Sequence, residues 1–196
     1  LIGISLCVQA GHAAYIPLGH EGADTPEQLP LQAVLDKLRP WLEDANKPKL
    51  GQHIKYDSHV FANHGLTIRG YQHDTMLQSY VLEAHKPHSL ESLALRHLGR
   101  SGASYESICG KGAQQIPFAH VAIEQASTYA CEDADFCLQV HQQLWPQLAD
   151  NPALQHIYEL EIASSAVLFQ IERNGVGRRT ATRPPKQRAG LALAGT

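Results

Sequence analysis

The alternation of strand-like and helix-like segments constrains the fold of this chain more than any other feature of its sequence. Aliphatic residues stand at every second position over 2–8, which is the period of a half-buried strand. A turn centred on Gly11 and a second strand over 13–18 predict an opening hairpin. Two further short strands are expected over 49–54 and 68–73.

Helices are indicated where apolar residues recur at intervals of three and four, as they do in the leucine-rich segment 31–42. A hairpin followed by strands that alternate with helices predicts an α/β fold, in which helices cover a mixed sheet. The expected helices span 31–42, 56–64, 75–83, 89–98, 119–148 and 154–173, with a glycine-bearing loop over 99–117.

The composition is that of a folded domain of moderate size. Of the 196 residues, 43% are hydrophobic and 18% charged, which is enough to bury a core and excludes global disorder. No apolar run approaches the roughly 18 residues of a membrane span, so no membrane partner is expected. The four cysteines form no CxxC pair, which favours a reducing, cytoplasmic location. Because the only methionine is Met76, we expect the chain to begin inside a longer protein.

Charge is distributed unevenly along the chain. Five of the 16 basic residues lie in 177–196, which has no acidic residue, so the first 176 residues carry 11 basic against 19 acidic residues, a formal charge of −8. Such a body does not resemble an autonomous binder of duplex DNA, but it suits a domain that gathers carboxylates around cations. The segment 177–196 is of low complexity and is predicted to be a disordered basic tail.

One candidate functional segment is Gly-Gln-His-Ile-Lys-Tyr-Asp over 51–57, which places Asp57 between a strand and a helix. The structural interpretation is that Asp57 caps this helix or favours its positive end, and for the segment taken alone this is preferred to a metal ligand. A similar cap is expected from Asp74 or Thr75 at the next helix, and there only the structural interpretation is kept.

A second candidate segment is Tyr-Ala-Cys-Glu-Asp-Ala-Asp over 129–135, within the long predicted helix. Tyr129 and Asp133 are four residues apart, so their side chains should project from one face, one turn apart. The alternative is a helix that packs through Ala126, Ala130 and Ala134 while its acidic residues are solvated.

Taken together, these segments resemble the second and third motifs of the proofreading 3′–5′ exonuclease domain of bacterial DNA polymerase I, a DEDD exonuclease of the tyrosine subgroup. The resemblance covers about residues 1–176 and keeps the order and spacing of the family. It is carried by AAYIPLGH at 13–20, GQHIKYD at 51–57, HDTMLQSYVL at 73–82, SLESLALRHL at 89–98, YACEDAD at 129–135 and IERNGV at 171–176.

The resemblance implies a site for divalent cations, Mg²⁺ or Mn²⁺, acting on the 3′ end of single-stranded DNA. Asp57 and Asp133 would be metal ligands and Tyr129 would orient the attacking water, so that all three would be catalytic. The DNA-binding residues would be Gln52, His53, Tyr56 and Tyr105, with His53 standing where relatives commonly have Asn.

The resemblance also identifies what is missing. The family's first motif, an Asp and a Glu separated by one residue on the first strand, has no counterpart here. We therefore expect a ribonuclease H-like mixed sheet that lacks its first, central strand, with low stability and little activity. The domain organisation implied is a partial exonuclease domain over 1–150, a helix leading towards a polymerase domain over 151–176, and the tail over 177–196, for which a changed reading frame is the hypothesis.

Two rival functions remain open at this stage. The chain could be a catalytically dead remnant that binds nucleic acid through its basic tail. The 12 histidines could instead indicate a zinc or copper protein, although only His85 and His88 form a close pair in the sequence.

Overall fold

The first two strands form the hairpin that the sequence predicts. In a computed structural model, which describes residues 1–23 and 25–175, β1 (Gly3–Gln9) pairs antiparallel with β2 (His12–Pro17). Ile4 lies opposite Ile16 in the register, and the tight turn between the strands contains Gly11, whose φ is +78°. A positive φ carries little steric cost at glycine, which explains its place in this turn.

The next two strands are shorter than the sequence predicts. β3 (Lys49–Gly51) pairs in parallel with β4 (Tyr71–Asp74), so the expected strands over 49–54 and 68–73 are wrong at one end each. The first one ends early because residue 54 already begins a helix, whose backbone N–H groups are accepted by a side chain from the end of β4.

Among the described residues, the four strands form two separate two-stranded sheets instead of the single mixed sheet expected. The chain is nevertheless a mixed α/β structure, as predicted. A cavity of about 240 Å³ lies between β1 and β3 and is lined by Gly3–Leu6 on one side and Lys49–Gly51 on the other. The two strands therefore face each other across a cavity and are not joined by backbone hydrogen bonds.

In the described part of the chain, seven α-helices surround the sheets, and the expected helices are confirmed to within a few residues at most ends. The exception is a helix inside the predicted loop 99–117, where Ser104 caps a segment of only five residues that is too short to show a helical period. The helices are α1 (Leu31–Leu42), α2 (Ile54–Ala62), α3 (Thr75–Glu83), α4 (Leu90–Leu98), α5 (Tyr105–Cys109), α6 (Ile123–Ala149) and α7 (Pro152–Asn174).

The long helix α6 forms the centre of the fold, since it packs against both strands of the hairpin and against α3, α4 and α7. Val140, Leu144 and Leu148 on this helix are fully buried. It begins later than predicted because a 3₁₀ turn at Phe118–His120 precedes it, and it continues without a break through Pro146 near its end.

α7 has well-defined ends. The side chain of Asn151 accepts the N–H groups of Ala153 and Leu154, which caps the first turn. After Asn174, Gly175 adopts φ +68° and ends the helix, as the Asn-Gly pair predicts. The basic tail predicted over 177–196 lies outside the described residues.

Candidate functional site

Asp57 lies in the first turn of α2, just beyond the carboxyl end of β3, and lines the cavity between the two sheets. Its side chain is reached by solvent. Desolvation by the surrounding protein, with a smaller contribution from the charge of Asp74, raises the pKa of Asp57 to about 6.

Asp57 does not cap α2, so this half of the structural interpretation is wrong. As an acidic residue in the first turn, Asp57 does lie at the positive end of the helix, as the other half predicts. Position 53 is the N-cap, and no side chain at that position bonds to the helix. The N–H groups of His53 and Ile54 instead donate to the carboxylate of Asp74, at 3.0 and 3.1 Å.

Asp74 joins two helices through one buried carboxylate, which is 1% exposed. It caps α3 by accepting the N–H groups of Met76 and Leu77, which confirms the structural prediction for Asp74. It also accepts the hydroxyl of Tyr71 at 2.5 Å. The same carboxylate therefore fixes the start of α2, and with it the position of Asp57, which the sequence did not indicate.

His53 has a left-handed backbone, with φ +56° and ψ +45°, and it is the sole non-glycine residue with positive φ in the described chain. Asn and His both adopt this conformation more readily than most residues, so the backbone suits the His found here as well as the Asn that the resemblance implies at this position. The ring of His53 is exposed and lies 6.4 Å from that of Tyr56.

Tyr129 and Asp133 project from one face of α6 and interact, as their spacing predicts. The hydroxyl of Tyr129 lies near the carboxyl group of Asp133, and both side chains are partly buried. Burial raises the pKa of Asp133 to about 6, against a smaller lowering by Tyr129. Burial and the neighbouring Asp133 also raise the pKa of Tyr129, so its hydroxyl stays protonated.

An aromatic surface lies beside Tyr129. The ring of Phe118 stacks on that of Tyr105 with 6.2 Å between centroids and lies 6.1 Å from that of Tyr129. Tyr105 is 43% exposed and Tyr56 is 65% exposed. The pKa of Tyr105 is raised mainly by a hydrogen bond with Cys109 and slightly by Tyr56, which places the two exposed tyrosines within electrostatic reach of each other.

The side-chain amide of Gln52 makes two hydrogen bonds within the protein. Its amide nitrogen donates to the carbonyl oxygen of His88 at 2.8 Å, and its amide oxygen accepts the hydroxyl of Thr75. A polar contact with DNA, as expected for Gln52, would have to replace or share one of these bonds.

The charges of the two candidate carboxylates both act on one buried thiol. The pKa of Cys137 is raised to about 12, chiefly by burial and also by the charges of Asp74, Asp57 and Asp133. Asp57 from α2 and Asp133 from α6 therefore both lie within electrostatic reach of Cys137, although they are 76 positions apart in the sequence. Over 1–23 and 25–175, no three His, Cys, Asp or Glu side chains converge in a way that could hold a metal ion.

No helix in the described part of the chain is both long and apolar enough to cross a membrane.

The fold is that of a mixed α/β domain, and comparison with known proteins identifies its family. A family model described as 3′-5′ exonuclease matches residues 1–149. The chain therefore belongs to the 3′–5′ exonuclease family, in the form that DNA polymerase I carries.

The similar proteins are much longer than this chain. It is 48% identical to DNA polymerase I of Pseudomonas aeruginosa over 89% of its residues and 20% of that protein. It is 33% identical to DNA polymerase I of Chloroflexus aurantiacus over 90% of its residues and 18% of that protein. The chain thus spans about a fifth of the length of these relatives.

A solved structure supports the fold. The structure described as the POL domain of Pol1 from M. smegmatis in complex with DNA primer-template and dNTP matches with a TM-score of 0.56. The match covers 81% of this chain and 24% of the other, at 24% sequence identity, and shows the fold alone.

Proposed function

We propose that this chain carries part of a metal-dependent site that hydrolyses DNA from its 3′ end during replication and repair. The observation that carries the proposal is the match of residues 1–149 to the 3′-5′ exonuclease family, with Asp57 and Asp133 both within electrostatic reach of Cys137. Carboxyl groups with raised pKa values, such as these two, are common at functional sites.

The side chains present are of the type that binds a divalent cation, but there are too few of them. Carboxylate oxygens are the ligands that Mg²⁺ and Mn²⁺ prefer, and a cation would stabilise the ionised form of both acids. Two carboxylates provide too few ligands for a tight site, and a pair of cations would need more acids than these. When bound, such ions activate water and stabilise the leaving oxygen in phosphodiester hydrolysis.

Tyr129 would orient the attacking water. Its phenol stays protonated and lies near Asp133 on the same face of α6, so it can act as a hydrogen-bonding group. The aromatic rings of Phe118 and Tyr105 restrict the orientation of the Tyr129 ring. Positioning of this kind lowers the entropic cost of bringing water to the phosphate.

The exposed aromatic surface would hold the terminal nucleotides. Tyr56 and Tyr105 present rings on which bases can stack, and such stacking does not depend on base sequence. His53 lies beside Tyr56 and could contact sugar or phosphate, as could Gln52 if it exchanged one of its protein contacts.

The cavity between β1 and β3 supports a ribonuclease H-like sheet that lacks a central strand. A strand placed there could pair with both flanking strands and join the two sheets into one. This organisation gives a partial exonuclease domain over 1–150, consistent with the family match to 1–149, and a helix over 151–176 that leads towards a polymerase domain. The described cysteines are all free thiols, which supports a cytoplasmic setting.

Cation binding by the full chain tests this proposal. Mn²⁺ is the probe, because its paramagnetism distinguishes the free ion from the bound ion. We expect weak binding that falls at least about tenfold in Asp57→Asn and in Asp133→Asn, because each variant loses one of two charged ligands. The control is Asp36→Asn on the exposed face of α1, which should bind as the parent does. Equal affinity in all four proteins would contradict the site.

Nuclease activity is measured in parallel on single-stranded DNA labelled at its 5′ end. Because the ligands are too few, we expect trimming by this chain to be slow at best. Similarity to DNA polymerase I across most of the chain does not favour the alternative of a dead remnant that binds through its tail.

A further inference from the structure

We propose that Glu172 on α7 is a positioning residue for Asp57, so that α7 belongs to the framework of the candidate site. This inference rests on the proposed function, because it concerns the position of one of the two proposed metal ligands. α7 begins at Pro152, beyond residues 1–149 that match the exonuclease family. The family match therefore does not include this part of the framework.

The last turns of α7 hold one side of α2 along its length. One carboxylate oxygen of Glu172 accepts from the Nζ atom of Lys55 at 2.5 Å, and the other lies 2.7 Å from Nε2 of His59. Arg173 donates to the side chain of Asn63 at 2.6 Å. Because Lys55, His59 and Asn63 are spaced four residues apart, a single face of α2 is held from its first turn to its C-cap.

Asp57 lies on the opposite side of α2. Successive residues of an α-helix are about 100° apart, so Asp57 is about 200° from both Lys55 and His59. Asp57 lines the cavity between β1 and β3, whereas Lys55 and His59 contact α7. A shift of α2 relative to α7 would therefore move Asp57, although Glu172 itself contacts neither a cation nor DNA.

The start of α2 is also held by α7. Tyr158 is 1% exposed, and its hydroxyl accepts the N–H of Asp74 at 2.8 Å and donates to the carbonyl oxygen of Gln72 at 3.2 Å. The carboxylate of Asp74 in turn accepts the first N–H groups of α2. Through Tyr158 and Glu172, α7 thus acts on both the start and the length of the helix that carries Asp57.

The effect of Glu172 should be larger on the position of α2 than on the stability of the fold. The side chain of Glu172 is 44% exposed and that of Lys55 is 20% exposed, and ion pairs with this exposure stabilise a fold only slightly. The buried Tyr158 keeps α7 in place when Glu172 is changed. A misplacement of about 1 Å can nevertheless lower a catalytic rate by roughly 100-fold.

Mn²⁺ binding by the full chain tests the role of Glu172. We expect Glu172→Ala to weaken binding by about three- to tenfold, less than the loss of a group bonded directly to a metal ligand. The midpoint of urea unfolding should change little. Glu172→Gln removes the same charge but keeps an acceptor on a side chain of the same length, so it should bind Mn²⁺ more tightly than Glu172→Ala. The matched control is Glu161→Ala, at an exposed position on the same helix, which should bind as the parent does.

Hydrogen exchange gives a second measurement, which depends on neither a cation nor nuclease activity. The amides of residues 57–62 in α2 should exchange faster in Glu172→Ala than in the parent, while exchange in β1 stays unchanged. If Mn²⁺ binding by the parent does not depend on Asp57, the proposed function fails, and hydrogen exchange alone decides whether Glu172 holds α2.

Four results would overturn the proposal. Parent-like Mn²⁺ binding by Glu172→Ala, in a chain whose binding depends on Asp57, would show that Asp57 does not need this contact. Equal losses in Glu172→Ala and Glu172→Gln, or the same loss in Glu161→Ala, would show a long-range effect of charge. A fall in the unfolding midpoint that accounts for the weaker binding would show a general loss of stability. Unchanged exchange in α2 would show that Glu172 does not hold the helix.

Discussion

The carboxylate of Asp74 has more influence on the candidate site than any residue that could contact a substrate. It is buried and accepts from backbone N–H groups of both α2 and α3 as well as from the Tyr71 hydroxyl. Hydrogen bonds to a buried charged acceptor are among the stronger ones in proteins. Its loss would release the start of the helix that carries Asp57.

We predict that Asp74→Asn lowers the free energy of unfolding by about 3 kcal/mol, since an amide cannot accept from all these donors and leaves some of them buried and unpaired. Urea unfolding followed by circular dichroism measures this. Asp36→Asn, at an exposed position on α1, should change stability by less than about 0.5 kcal/mol. Equal effects of the two substitutions would show that Asp74 has no special structural role.

A second prediction for a single residue concerns the exposed tyrosines. We predict that Tyr105→Ala weakens binding of a short single-stranded oligonucleotide by about 5- to 100-fold, which corresponds to the roughly 1–3 kcal/mol of one stacked base. Fluorescence anisotropy of a labelled oligonucleotide measures it. Tyr80→Ala serves as the control because Tyr80 is 50% exposed and stacks on His88, away from the aromatic surface around Tyr129. If both variants bind alike, the aromatic surface is not the DNA contact.

At the scale of elements, the hairpin is anchored to α6 by Asp135. This carboxylate, 6% exposed, accepts the N–H of Gly11 at 2.7 Å, Arg100 at 3.1 Å and Gln139 at 2.7 Å. These bonds lower the pKa of Asp135 despite its burial. The last acid of the YACEDAD motif is therefore a structural residue, whereas the acid two positions earlier faces the candidate site.

We predict that Asp135→Ala lowers the free energy of unfolding by about 2–3 kcal/mol, because three donors lose their acceptor. Hydrogen exchange should accelerate at Gly11 and along the hairpin more than in β3 and β4. Asp150→Asn at the exposed end of α6 provides the comparison, and it should leave hairpin exchange unchanged. Uniform acceleration across the whole chain would contradict a local anchor.

At the scale of the whole molecule, some titratable groups lower the stability of the fold as pH falls, and others raise it. His141 lies 4.4 Å from His73, ring to ring, and burial with the charge of His73 lowers the pKa of His141 to about 4. The unfolded chain therefore binds a proton at His141 before the folded chain does, so stability falls as pH drops from about 6.5 to 4. The raised pKa values of Asp57 and Asp133 act oppositely, since the folded chain is favoured below about pH 6.

A variant comparison separates these effects. We predict that His141→Gln loses less stability, or gains more, than the parent as pH drops from 6.5 to 4.5, because the group that takes up the proton on unfolding is removed. Thermal unfolding at several pH values measures the slope. The exposed His85→Gln should keep the slope of the parent. A parent slope that persists in His141→Gln would assign the pH dependence to other groups.

The sequence by itself determined the element types, most helix ends and the family, because periodicity, caps and turn residues act over a few neighbouring positions. It also identified the residues of the candidate site, because the motifs keep the family's spacing. Only the tertiary structure decided that Asp74 accepts the first N–H groups of α2, that Asp135 anchors the hairpin, and that the described strands form two sheets around a cavity. These depend on contacts between residues far apart in the chain, which no local pattern encodes.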